Sequence, residues 1–181
     1  MTAIIKKIAY ACGLIGVCLL FSGGGCRVNY GLSGAQIPAA ARTVSIPFFP
    51  NNATLVTPTL SSTFTDALQE KFANQTKLEL ITTGTEEGDL AFSGEIVNYV
   101  ATPTAVTASN EFPASMMRLT ITVRVNFTNR LDPQWNFTNR TFSQYEDFDS
   151  NLTLQSQEGE LIPIIVKKLV DDIYMAAVAN W

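Results

Sequence analysis

Hydrophobic and polar positions alternate most cleanly between Met117 and Thr128. Met117, Leu119, Ile121, Val123, Val125 and Phe127 fall on one side of an extended chain, and Arg118, Thr120, Thr122, Arg124, Asn126 and Thr128 on the other. A period of two marks a half-buried antiparallel strand, with one face on a core and one face wet. Asn126-Phe127-Thr128-Asn129-Arg130 recurs as Asn136-Phe137-Thr138-Asn139-Arg140, and Leu131-Asp132-Pro133-Gln134-Trp135 between the copies is a good turn sequence. This predicts a β-hairpin; one repeated pentapeptide is too little for a solenoid.

Other stretches carry weaker versions of the same signals. Thr43 to Phe49 is strand-like, with Pro47 pointing to an edge or a strand end. Pro50-Asn51-Asn52 turns the chain. Thr57-Pro58 then predicts a helix start, with Thr57 as N-cap. Leu60, Phe64, Ala67, Leu68 and Phe72 fall on one stripe of that helix, which fades near Asn74. Leu78 to Thr82 reads as a short strand and Leu90 to Val106 as a long one. Within the long strand, Gly94 invites a bulge and Thr102-Pro103 a bend or a loss of pairing. Asn110 to Ala114 and the polar stretch Asp147 to Glu158 read as loops. A last helix is expected from about Gly159 to Ala179, with Pro163 in its first turn and Trp181 packing back on the domain. The order β-α-β-β-β-β-α predicts an α+β fold, two helices on one face of a four- to five-stranded, mostly antiparallel sheet.

The N-terminus follows a different pattern. Lys6 and Lys7 precede an apolar run from Ile8 to Phe21, which ends in Ser22-Gly23-Gly24-Gly25-Cys26. Charge, apolar core and small-residue exit make a secretory signal peptide. The run is short of the roughly 20 apolar residues of a membrane-spanning helix. Cys26 directly after small residues resembles the lipobox of bacterial lipoproteins, in which the cysteine is acylated and becomes the new N-terminus. Gly23 stands where that motif usually has leucine. The expected division is a signal peptide over 1–25, a lipidated tether over 26–41 and a single domain over 42–181. Two or more acyl chains would give stable anchoring.

Composition narrows the chemistry. Beyond Cys26 there is no cysteine, so no disulfide is expected within the mature chain. Ten basic residues face sixteen acidic ones there, a net charge of −6 that argues against nucleic acid as a partner. The chain has no histidine, which removes the commonest general base and metal ligand. No phosphate-cradling loop or nucleophile motif occurs, so no catalytic residue, metal or cofactor is expected. Asn-x-Thr triplets at Asn52, Asn74, Asn126, Asn136, Asn139 and Asn151 reflect Thr- and Asn-rich strands and turns in a chain with a bacterial lipobox. The candidate binding residues are Arg118, Thr120, Thr122 and Arg124. At strand rise the two arginines sit about 20 Å apart with hydroxyls between them. Such a row either grips phosphate oxygens through guanidinium forks or is a solvated face with its arginines paired to Asp or Glu.

From Tyr30 to Trp181 the chain resembles the LptE-type lipopolysaccharide-assembly lipoproteins in their Bacteroidetes form. The resemblance is carried by Ser33-Gly34-Ala35, Phe48-Phe49-Pro50-Asn51-Asn52, Asn74-Gln75-Thr76-Lys77-Leu78 and Gly88-Asp89-Leu90 with Gly94-Glu95-Ile96. Tyr99 with Thr102-Pro103, Arg118-Leu119-Thr120, and Asp172-Ile173-Tyr174 through Asn180-Trp181 complete it. It implies an outer-membrane lipoprotein, with two helices on a four- or five-stranded sheet, facing the periplasm and the lumen of a large β-barrel. That protein would plug the LptD-type barrel, support its assembly and help deliver lipopolysaccharide to the outer leaflet. It also implies lipopolysaccharide binding through basic residues, Arg118 by position and Arg124 by extension. Two other readings follow from the residues: a free periplasmic carrier of a lipid or envelope polymer, which calls for a sizeable internal apolar pocket, and an envelope hydrolase, which the missing histidine disfavours.

Overall fold

The repeated pentapeptide closes its hairpin by reciprocal asparagine bonds. In the computed structural model, which describes residues 37, 40–55, 57–81, 88–104 and 116–178, strand β4 (Met116–Asn129) and strand β5 (Phe137–Asp149) pair antiparallel across a turn that contains the 3-10 segment Pro133–Trp135. The Asn136 side-chain oxygen accepts from the Asn129 N–H at 2.6 Å, and that of Asn126 from the Asn139 N–H at 2.7 Å. The first asparagine of each copy thus holds the fourth of the other. Antiparallel pairing makes that exchange natural. Asn139 also takes the positive φ of 54°, a conformation asparagine tolerates, beside the register shift between Val125 and Phe127. Asn129 further accepts from the N–H groups of Leu131 and Asp132, both at 3.0 Å, which fixes the turn.

Three more strands complete a five-stranded sheet in the order β2-β1-β3-β4-β5. Strand β3 (Leu90–Thr104) runs antiparallel to β4, while β1 (Thr43–Ser45) pairs in parallel with both β3 and β2 (Glu79–Ile81). Helix α1 (Leu60–Gln75) supplies the crossover that a parallel β1–β2 pair requires. The long antiparallel meander and two helices match the expected α+β architecture. Both parallel pairs involve the three-residue strand β1. Expectations for Trp181, residues 1–36 and the 110–114 loop lie outside the described residues.

Both helices cover one face of the sheet. Leu60, Phe64, Leu68 and Phe72 of α1 and Ile165, Leu169 and Ile173 of α2 (Leu154–Val178) meet Phe92, Ile96, Leu119, Ile121, Val123 and Val125 in one buried core. Ring contacts of 4.9 Å between Phe72 and Phe92 and 5.2 Å between Phe72 and Tyr174 tie sheet and helices together. Lys71 of α1 donates to Asp171 of α2 at 2.6 Å.

Local expectations fail where polar side chains serve tertiary bonds. Helix α1 begins at Leu60, and Thr59 in its cap position makes no side-chain cap bond. The Thr57 hydroxyl donates instead to Glu158 at 3.1 Å, and the Tyr99 hydroxyl donates to the same oxygen at 2.7 Å. Burial pushes the Tyr99 phenol above its ordinary range, so it remains a donor. The stretch Asp147 to Glu158 is not one loop: β5 runs to Asp149 and α2 starts at Leu154. The Thr153 hydroxyl accepts from the Ser156 N–H at 3.4 Å and so opens that helix. Pro163 therefore lies in the helix interior rather than its first turn, on the exposed side, where the carbonyl of Gly159 loses its partner to water.

The bulge expected at Gly94 lies between Ile96 and Asn98, and Gly94 pairs in register with Val125. Its glycine has another cause. A Cβ there would stand 2.2 Å from the Arg124 carbonyl oxygen and 2.6 Å from the Phe49 ring. Gly94→Ala should cost about 1–3 kcal/mol in urea unfolding; an unchanged midpoint would refute the close approach. Pro103 keeps its register with Met117 on a stretch of β3 that β1 no longer flanks, an edge position as proline requires.

Candidate functional site

Opposite the helices, the polar residues of three strands form one open face. Alternation sends the Arg118, Thr120, Thr122, Arg124, Asn126 and Thr128 side of β4 away from the core, and cross-strand register sets its neighbours. Arg118 lies between Thr102 and Asp147, Thr120 between Val100 and Tyr145, Thr122 between Asn98 and Ser143, and Arg124 between Glu95 and Thr141. The four candidate binding residues therefore do share a face. No described element covers it.

Each arginine on this face already has a carboxylate. Arg118 donates through Nε and Nη2 to the two oxygens of Asp147 at 2.7 and 2.8 Å and lies 3.7 Å from the Tyr145 ring centroid. Arg124 Nη1 donates to Glu95 at 3.0 Å, and Asn52 donates to the other Glu95 oxygen. Hydroxyls pair likewise, Thr122 with Ser143 at 3.0 Å, and Asn126 donates to Ser93 at 3.3 Å. The two arginines and the carboxylates of Asp147 and Glu95 cancel, leaving a surface of hydroxyls and amides around an exposed Tyr145, with the Asp149 carboxylate at its end. Asp147 occupies the Nε–Nη2 edge of Arg118 and leaves only its Nη1 side to another acceptor, so of the two expectations for this row the structure displays paired arginines. The partners Asp147, Glu95, Ser143 and Tyr145 are not legible in the sequence, because register across strands is absent from a single-strand pattern.

The fork from Arg118 holds the Asp147 carboxyl below its ordinary value of 3.8. Asp89 is lowered too, because its Oδ2 accepts from the Arg42 N–H at 2.7 Å and from the Thr43 N–H and hydroxyl at 3.1 Å. Folded-state values below unfolded ones mean stabilisation that is complete above the unfolded value and is lost as pH falls through the folded one. The melting temperature should then lose these contributions only below about pH 4. Asp89→Asn should flatten that acid limb; an equally steep limb in the variant would count against the assignment.

Among the described residues no group of three or more potential ligands could hold a metal ion, and no helix is long and apolar enough to cross a membrane. Two clefts among the described residues open at the surface. One of about 360 Å³ lies between α1 and α2 around Lys71 and Asp171, and one of about 590 Å³ lies between the hairpin turn and the C-terminal half of α2.

Residues 41–177 match the family model for LptE, lipopolysaccharide assembly. The chain belongs to the LptE family. Comparison with curated proteins gives no match. Solved structures similar to this LptE-family chain include a minor lipoprotein from Acinetobacter baumannii, with 14% identity, 77% of this chain and 92% of that one covered, and a TM-score of 0.44. A hypothetical protein from Chlamydia trachomatis, CT253, gives 11%, 77%, 100% and 0.45, and an uncharacterized lipoprotein B from Nitrosomonas europaea gives 12%, 77%, 88% and 0.41. None of these likenesses bears on function.

Proposed function

We propose that this LptE-family chain is an outer-membrane lipoprotein that plugs an LptD-type β-barrel, supports its assembly and assists delivery of lipopolysaccharide to the outer leaflet. In this reading residues 1–25 are a lipoprotein signal peptide, Cys26 carries the acyl chains, 26–41 tether the domain and 42–181 form the plug, with no catalytic role. The hydrogen-bonding open face, with its arginines paired, carries the proposal. The lumen of a large barrel is polar, and a wall of that kind is met by paired hydroxyls, amides and balanced charges at little desolvation cost. Arg118, Thr120, Thr122 and Arg124 are the proposed lipopolysaccharide contacts of that face, with Asp147 and Glu95 as built-in competitors for the two guanidiniums.

The alternative of a free periplasmic carrier calls for an internal apolar pocket. The two clefts described above, both among the described residues, open to the surface. Gentle detergent extraction of native membranes, with a tag at the C-terminus, decides between plug and carrier. A very large β-barrel recovered at near-equal amounts is expected. A chain that leaves the membrane alone, acylated at Cys26, would overturn the plug and restore the carrier.

A further inference from the structure

The larger cleft sits at the end of the sheet where β4 turns into β5, away from the open-face arginines. Its walls are Trp135, Phe137, Arg140 and Phe142 from the hairpin and Asp172 and Met175 from α2. At about 590 Å³ it falls in the size range of ligand sites. We propose that this cleft is a glycan-binding site, and that it takes a saccharide bearing a carboxylate or phosphate group.

Three features define that chemistry. The first is an aromatic platform that is already held in place. Trp135 Nε1 donates to Asp132 at 3.0 Å, in a turn fixed by the asparagine bonds described above, so docking a ligand on the indole costs little ordering. The apolar CH face of a pyranose ring fits such a surface.

The second feature is an uncompensated cation. The Arg140 guanidinium lies 5.4 and 5.2 Å from the Phe137 and Phe142 ring centroids. Unlike Arg118 and Arg124, it has no carboxylate at ion-pair distance among the described residues. It is exposed on the edge strand, with its forked donors available to an incoming anion.

The third feature is a ring of polar side chains. Gln134 and Asn136 both donate and accept, and Asp172 accepts from Gln144 at 2.6 Å with acceptor capacity to spare. Hydroxyl-rich ligands need this mixture. An acyl chain would call for a more enclosed and more apolar wall.

This proposal goes beyond the barrel reading and does not depend on it, because it is tested on the isolated chain. The chain has two tryptophans, so Trp181→Phe leaves Trp135 as the single reporter. The purified full chain in detergent is titrated with tetragalacturonate, mannose 6-phosphate, maltotetraose and inorganic phosphate, and Trp135 emission is followed. At least one acidic sugar should give a saturable shift, and which one does so separates a carboxylate-bearing source from a phosphorylated one. Maltotetraose should bind at least about tenfold more weakly, inorganic phosphate should give no shift, and Arg140→Gln should weaken the acidic sugar about tenfold or more. Far-ultraviolet circular dichroism checks that Arg140→Gln remains folded. The site is refuted if neither acidic sugar shifts the emission, if Arg140→Gln binds as well as the parent, or if inorganic phosphate alone reproduces the shift.

Discussion

Phe72→Ala is expected to lower the unfolding free energy by about 3–5 kcal/mol, the range for truncating a fully buried aromatic ring. Phe72 has no exposed surface and lies where three elements meet: its own helix, Phe92 of β3 and Tyr174 of α2. Neither neighbour can follow it into the gap. Phe92 also packs against Phe127 at 4.8 Å, and the Tyr174 ring carries Lys71 5.2 Å from its centroid. The change should therefore leave a cavity and loosen the helix pair from the sheet. Urea unfolding measures it directly. With a denaturant slope of about 1–3 kcal/mol per molar for a domain of this size, the midpoint should fall by more than about 1 M. A loss below about 1 kcal/mol would mean that the three-way junction is not where the core is anchored.

Phe72 is legible as a core residue in the sequence alone, and the reason is periodicity. Leu60, Phe64, Leu68 and Phe72 repeat every four residues, and Leu119 to Phe127 every two, so burial writes itself into the order of the residues. The hairpin is legible too, because its turn lies between two copies of one motif. What periodicity cannot carry is a bond between distant residues. Thr57 has the sequence context of a helix cap, yet its hydroxyl binds Glu158, 101 positions away. The first turn of α2, from Leu154 to Glu158, is almost wholly polar. It therefore reads as a loop, and that shift misplaces Pro163. Gly94 stands out in the sequence for the wrong reason, since only the fold brings the Phe49 ring and the Arg124 carbonyl against it.

The candidate site divides along the same line. Alternation alone places Arg118, Thr120, Thr122 and Arg124 on one face. That Asp147 and Glu95 neutralise the two arginines depends on register, and register changes the meaning of the row from an anion grip to a balanced surface. Arg140 shows the converse. It belongs to the second copy of the repeated motif and reads as part of a hairpin, yet the return of α2 along the sheet gives it a cleft.

The balance at Arg118 supplies the sharpest test of how the open face works. The pair with Asp147 is partly exposed, with 35% and 34% of the two side-chain surfaces accessible, so solvent screening leaves it little weight in stability. Changes there should leave the fold intact and act on recognition. If the face is a plug surface, Asp147→Ala leaves an unmatched guanidinium against the barrel wall, and Arg118→Asp leaves two facing carboxylates. Each should cut recovery of the barrel about tenfold or more, since like charges and unpaired ions at an interface cost several kcal/mol. The exchanged variant, Arg118→Asp with Asp147→Arg, restores the pair and should recover much of the loss. If Arg118 instead serves chiefly to hold a lipopolysaccharide phosphate, the two single variants should part company. Asp147→Ala would free the fork and strengthen lipopolysaccharide binding, while Arg118→Asp would abolish it, with barrel recovery unchanged in both. Measuring both quantities on the same three variants separates the roles. Barrel recovery indifferent to all three would remove the Arg118–Asp147 row from the plug surface.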